Sequence, residues 1–93
     1  MTKFSVIIAD SAVKELKVLD AKLTERIKIH LKELEEDPFR KRPKADIKRL
    51  HGLKDPILYR LRVGEYRIIY AIGEKNVKIT HILKRSDAYK VLD

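Results

Sequence analysis

In the run Leu61-Arg62-Val63-Gly64-Glu65-Tyr66-Arg67-Ile68-Ile69-Tyr70, two arginines flank a Gly-Glu pair at equal distance. A two-residue turn at Gly64-Glu65 pairs Val63 with Tyr66 and Arg62 with Arg67, because directly opposed residues of a hairpin share a sheet face. Two cations placed this way repel, and a sequence shaped only for stability avoids the arrangement. Their joint chemistry is with phosphate. Each planar guanidinium binds phosphate oxygens through a fork of donors, keeps its charge at any physiological pH, and stabilises the extra negative charge of a phosphorane. No metal is required for that step, and no cofactor is expected. RNA suits such a face better than DNA, because its 2′-hydroxyl supplies the nucleophile that DNA lacks.

Further candidates lie on either side. Lys84-Arg85-Ser86-Asp87-Ala88-Tyr89 adds an arginine and, four residues on, an aromatic ring. On a helix Arg85 and Tyr89 reach one site, where the ring stacks on a base; alternatively Tyr89 anchors the final helix in the core. Between residues 40 and 54 stand Arg40, Lys41, Arg42, Lys44, Lys48, Arg49 and Lys54, with Pro43 among them. This basic linker either follows a phosphate backbone or is solvated surface. His30 lies beside an apolar helical stripe and reads as a packing residue, and His51 and His81 are isolated, so no pair has metal-ligand spacing.

The elements that must position these side chains are legible in the apolar pattern. Phe4–Ala9 is a β-branched apolar run, followed by Asp10 or Ser11 as N-cap of a helix carrying Ala12, Val13, Leu16 and Leu19. A second helix spans Ala21–Glu36, with Leu23, Ile27, Leu31 and Leu34 on one stripe and Pro38 beyond its end. Three strands follow, Ile57–Val63, Tyr66–Ile72 and Val77–Leu83, and a short helix capped by Ser86 closes the chain. A loop centred on Glu74-Lys75 pairs Tyr70 with Ile79, Ile68 with His81 and Arg67 with Ile82. One face then holds Ile57, Tyr59, Leu61, Val63, Tyr66, Ile68, Tyr70, Ile72, Val77, Ile79, His81 and Leu83, and the helices pack against it. The other holds Arg60, Arg62, Arg67, Ile69, Ala71, Lys78, Thr80, Ile82 and Lys84, with no acid in the paired strands. The expected fold class is α+β, two N-terminal helices on a mainly antiparallel sheet with a short C-terminal helix.

Ninety-three residues suffice for one domain, expected over 1–93. The 22 Lys and Arg exceed the 14 Asp and Glu, a formal charge of +8 that favours polyanionic partners. With no cysteine there is no disulfide, thiolate metal site or thiol nucleophile. The first apolar run is too short for a signal peptide or membrane span, so no membrane role and a cytoplasmic location are expected.

The Leu61–Tyr70 run, the preceding Lys48-Arg49-Leu50-His51-Gly52, the closing Lys84–Tyr89 segment and the early Asp10-Ser11-Ala12-Val13-Lys14-Glu15-Leu16 together resemble RelE, in the RelE/ParE toxin superfamily. The similarity spans nearly the whole chain. It implies a type II toxin that enters the ribosomal A site, cleaves the exposed messenger codon and is silenced by a RelB-like antitoxin in a hetero-oligomer. It assigns transition-state roles to Arg67 and Arg85 and a base contact to Tyr89; the basic face and linker themselves place Arg60, Arg62, Lys48, Arg49, Lys54 and Lys84 on the RNA. The best-studied branch also carries lysines on the strand before the turn, one of them the general base. Here those positions are Leu58 and Arg60, and a guanidinium is a poor base, so either Lys48, Lys54 or Lys84 takes the proton or it is lost with only modest catalysis. The alternative within the superfamily is a ParE-like gyrase inhibitor, which binds its target and cuts no RNA.

Overall fold

A computed structural model describes residues 3–50 and 57–87. In chain order the elements are β1 (Ser5–Ile8), α1 (Asp10–Lys17), α2 (Ala21–Glu36), β2 (Asp46–Arg49), β3 (Leu58–Val63), β4 (Tyr66–Ile72) and β5 (Asn76–Lys84). They form one five-stranded sheet in the order β1-β5-β4-β3-β2, with β1 parallel to β5 and every other pair antiparallel. This is the α+β class expected, and helical geometry at residues 85–87 opens the C-terminal helix. That helix begins one residue before Ser86, which is therefore not its cap. Among the described residues, no helix is long and apolar enough to cross a membrane.

Helix α2 has the bounds its periodicity predicts. Asp20 caps it, its carboxylate accepting from Leu23 N at 2.8 Å, and Ile27, Leu31 and Leu34 are buried on one stripe. It stops at Asp37, which is extended, because a residue preceding proline is pushed out of the helical region. Helix α1 departs from expectation at its start. Asp10 is already helical, Ala9 occupies the cap position, and no side chain caps the helix.

Ser11 instead turns to the sheet. Its hydroxyl donates to Thr80 O at 2.8 Å, and the Glu15 carboxylate accepts from Ile82 N at 3.0 Å. Strand β1 pairs with β5 only as far as Ile8 opposite Ile79. Beyond that point α1 satisfies the backbone groups along the β5 edge, which otherwise cost free energy on leaving water.

The core gathers Ala12, Ile27, Leu31, Leu34, Ala45, Ile47, Leu61, Val63, Ile68, Tyr70, Val77, Ile79 and Ile82 between the helices and one sheet face. Truncating one of the large aliphatic members to alanine costs about 2–5 kcal/mol. At one end of this core Phe4, Phe39, Tyr59 and Tyr70 form a chain of ring contacts. The buried Tyr70 hydroxyl donates to Pro38 O at 2.8 Å, and burial, with Tyr59 next to it, raises its pKa.

Two further sequence expectations are corrected. First, the supposed linker contains a strand: β2 pairs with β3, setting Asp46 opposite Arg62 and Lys48 opposite Arg60. Second, the β4–β5 register shifts at a bulge between Ile69 and Tyr70, where Thr80 is the extra residue. Ile68 therefore opposes Ile82 rather than His81, and Arg67 opposes Leu83 rather than Ile82. Ile82 enters the core, while His81 and Leu83 go to the other face and Lys84, opposite Tyr66, leaves it. A bulge flips every later side chain, and here that puts an isoleucine inside in place of a histidine.

Candidate active site

The hairpin joining β3 and β4 is built on Gly64, whose φ is +59°, while no non-glycine residue among those described has positive φ. Positive φ at only the first central position is the type II′ pattern, whose twist matches the flanking strands. A Cβ at Gly64 would lie 3.3 Å from the Arg26 guanidinium of α2, the exposed end of a flexible side chain that can give way, so it is the backbone conformation that favours glycine. Across this turn Arg62 opposes Arg67, as the residue spacing predicts.

Arg85 joins them at the same end of the sheet. Its N–H donates to Glu65 O at 2.7 Å, tying the start of the last segment to the turn. Glu65, Lys84, Arg85 and Ser86 line an open cleft beside the turn. The hairpin end of the sheet thus holds Arg62 and Arg85, both exposed, on either side of Arg67, which is 9% exposed. Arg67 Nη1 lies 3.3 Å from Tyr66 O and 3.4 Å from Gly64 O, contacts that hold the guanidinium by the turn.

The remaining candidates divide. Lys48 is exposed on the arginine face opposite Arg60. Arg60 itself is mostly covered and lies 3.9 Å from the Asp46 carboxylate, which also pairs with Lys41 at 3.7 Å. The basic face therefore does carry an acid, supplied by the strand hidden in the linker. Arg49 opposes Tyr59 and so belongs to the other face, exposed at the sheet edge. Lys84 is displaced from the arginine face by the bulge, yet lines the cleft with Arg85. Lys54 and Tyr89 lie outside the described residues.

The linker cations separate as well. Arg42 is committed to the end of α2, donating to Asp37 O at 2.9 Å, Arg40 O at 2.7 Å and Glu33 O at 2.7 Å, so it is not available to phosphate. His30 is half-buried with Nδ1 2.9 Å from Arg26 O, which fits a packing residue. His81, on the arginine face beside Ile69, has Nδ1 3.3 Å from Thr80 Oγ1.

Reasoning from sequence missed Asp46, Glu65 and Arg26. The alternation of Ala45 and Ile47 with polar neighbours is the signal that exposes β2 and, with it, Asp46. Glu65 was read only as a turn residue. Nothing in the sequence separation of Arg26 and Gly64 links them; the packing of α2 on the hairpin does.

The molecule thus sets two helices on a five-stranded sheet, with arginines gathered at one hairpin. Residues 6–89 match the family described as ParE toxin of type II toxin-antitoxin system, parDE. The chain is 34% identical over 90 residues to the putative toxin RelE1 of Methanocaldococcus jannaschii, covering 95% of this chain and 97% of that one. Among solved structures it resembles a chain of the archaeal RelE–RelB complex from Pyrococcus horikoshii OT3, with TM-score 0.76 and 34% identity over 90% of this chain and 97% of that one. A chain of the intact E. coli RelBE toxin–antitoxin complex gives TM-score 0.68 at 28% identity, covering 87% of this chain and 95% of that one. The chain belongs to the RelE/ParE family of type II toxin–antitoxin toxins.

Proposed function

We propose that this toxin is a metal-independent endoribonuclease that cleaves messenger RNA in the ribosomal A site and so stops translation. The observation that carries the reading is Arg62 opposite Arg67 on one hairpin, with Arg85 bonded through its backbone to the same turn. Three guanidinium groups at one end of a sheet match a dianionic phosphorane, and the charge a metal would supply comes from them. Arg67 and Arg85 stabilise the transition state, and Tyr89 stacks on a base. Arg62, Lys48, Lys54 and Lys84 attract the phosphate backbone, each charge strengthening the salt dependence of binding, while Arg49 on the opposite face and the covered Arg60 beside Asp46 contribute less. The 2′-hydroxyl attacks the adjacent phosphorus and the 5′-oxygen leaves, producing a 2′,3′-cyclic phosphate.

The relatives crystallised as RelE–RelB and RelBE complexes support a RelB-like antitoxin as the partner that silences this chain in a hetero-oligomer. A cytoplasmic site of action follows from a ribosomal target. The test mixes purified toxin with programmed ribosomes and maps messenger ends by primer extension, with chemical analysis of the termini. Cuts within the A-site codon that leave cyclic or opened 2′,3′ phosphates are expected. The ParE name of the matched family makes gyrase the rival target. Inhibition of gyrase supercoiling with the messenger left intact would overturn the nuclease reading.

A further inference from the structure

Charge stabilisation leaves one task of the reaction unassigned. A guanidinium is protonated at any physiological pH and cannot take the proton from a 2′-hydroxyl. Of the described lysines, Lys48 lies out on the edge strand opposite Arg60, and Lys84, which lines the same cleft as Arg85, carries an ammonium group that donates and has no lone pair to accept the proton. Glu65 is different. It is an exposed carboxylate at the turn itself, two residues from Arg67, lining one cleft with Arg85 and Ser86. Its own carbonyl accepts the Arg85 N–H at 2.7 Å, so the position is fixed relative to that arginine. Although Lys84 and Arg85 share the cleft, the Glu65 carboxylate is in none of the ion pairs formed among the described residues.

We propose that Glu65 is the general base of the cleavage. The inference rests on the nuclease reading above. The Glu65 carboxylate takes the 2′-hydroxyl proton as the 2′-oxygen forms its bond to phosphorus. The bond from phosphorus to the 5′-oxygen breaks, its electron pair leaves on that oxygen, and solvent water supplies the proton that completes the 5′-hydroxyl. Glu65 then returns its proton to solvent, and Arg67 and Arg85 hold the non-bridging oxygens throughout.

Single-turnover cleavage on programmed ribosomes, run across pH, tests the assignment. Glu65→Gln lowers the rate by at least roughly a hundredfold, the scale of a lost general base, while binding to the ribosome is kept or strengthened because a negative charge is gone. Glu65→His restores part of the rate and makes it rise with pH through about 6.5, whereas the wild-type rate is flat there. A merely structural role for residue 65 cannot produce that shift. Cleavage by Glu65→Gln within roughly threefold of wild type overturns the proposal, as does a wild-type rate that climbs through alkaline pH as a lysine base requires. Absence of cleavage by the wild-type protein itself instead removes the nuclease reading, so the two failures are told apart. Thermal melts of both variants confirm that this exposed turn still folds.

Discussion

The two ends of the β3–β4 hairpin treat arginine in opposite ways. At the open end, Arg42 donates to three backbone carbonyls around the C-terminus of α2 and lies 3.5 Å from the Glu33 carboxylate. There Tyr59 stacks on Tyr70 at 5.7 Å, and the Tyr70 hydroxyl is satisfied by Pro38. At the turn end, Arg62 opposes a second arginine, and neither it nor Arg85 forms an ion pair among the described residues. The Arg42 guanidinium is held by acceptors of its own chain, whereas Arg62 and Arg85 are exposed. A half-buried fork filled with acceptors stabilises the fold, whereas the exposed guanidinium groups of Arg62 and Arg85 keep donors for an anion from outside.

The sharpest way to break this contrast is to exchange the effects of the two kinds of arginine. Arg85→Ala should lower messenger cleavage at least about a hundredfold, close to 2.7 kcal/mol in the barrier, with little change in Tm. Arg42→Ala should do the reverse. With the α2 carbonyls stripped of their donor, unfolding in urea should show about 2–3 kcal/mol lost, while cleavage per folded molecule stays at the wild-type level. An active-site role for Arg42, or a stability role for Arg85, would erase the distinction.

Smaller substitutions sharpen it. Tyr70→Phe should cost about 1–2 kcal/mol in the same urea titration, because Pro38 O loses its buried donor. Asp37 lies at the same end, and its pKa is lowered, chiefly by the Phe39 N–H, with Arg40 N–H, Arg42 and Arg40 assisting against some desolvation. A depressed carboxyl pKa contributes stability above the unfolded value, near 3.8, and loses it as pH falls through the folded value. The stability gap between wild type and Asp37→Asn should therefore be full at neutral pH and close in acid, as Tm measured against pH would show. At the turn end, Arg62→Gln should raise stability by about 0.2–1 kcal/mol through relief of the opposed charges, and weaken RNA binding most at low salt. A destabilised Arg62→Gln would mean that Arg62 supports the fold after all.

Where the sequence was legible, one signal dominated its surroundings. The stripe of Ile27, Leu31 and Leu34 with Pro38 beyond it set α2, and Gly64 set a turn from which the Arg62–Arg67 pairing follows. Where it was not, the signal was either sparse or displaced. In β2 only Ile47 is apolar, and residues 40–54 around it carry seven cations, so the strand that delivers Asp46 looked like linker. Counting by twos from Ile79 put His81 inside; the three-residue step from Ile79 to Ile82 marks the bulge, and only pairing with β4 reveals it. The site's acid and its proposed base were thus hidden, one by a strand too charged to recognise and one by a turn read only for its geometry.

The parallel pairing of β1 with β5 has a consequence for how the molecule is made. Ser5 pairs with Asn76, about 70 residues later, whereas the β3–β4 hairpin closes over a two-residue turn. Local pairs form early and distant ones wait, because the entropy of closing the long loop must be met first. During synthesis the arginine hairpin can therefore zip up as soon as Ile72 has emerged. The sheet acquires its other edge only when residues 76–84 meet a β1 and an α1 made long before. Ser11 and Glu15, among the first residues synthesised, grip Thr80 and Ile82 beside the bulge, so correct alignment of the last strand is the step that completes folding. A nascent chain halted before that strand carries Arg62 and Arg67 but neither Arg85 nor the finished cleft, so a truncated translation product should be harmless.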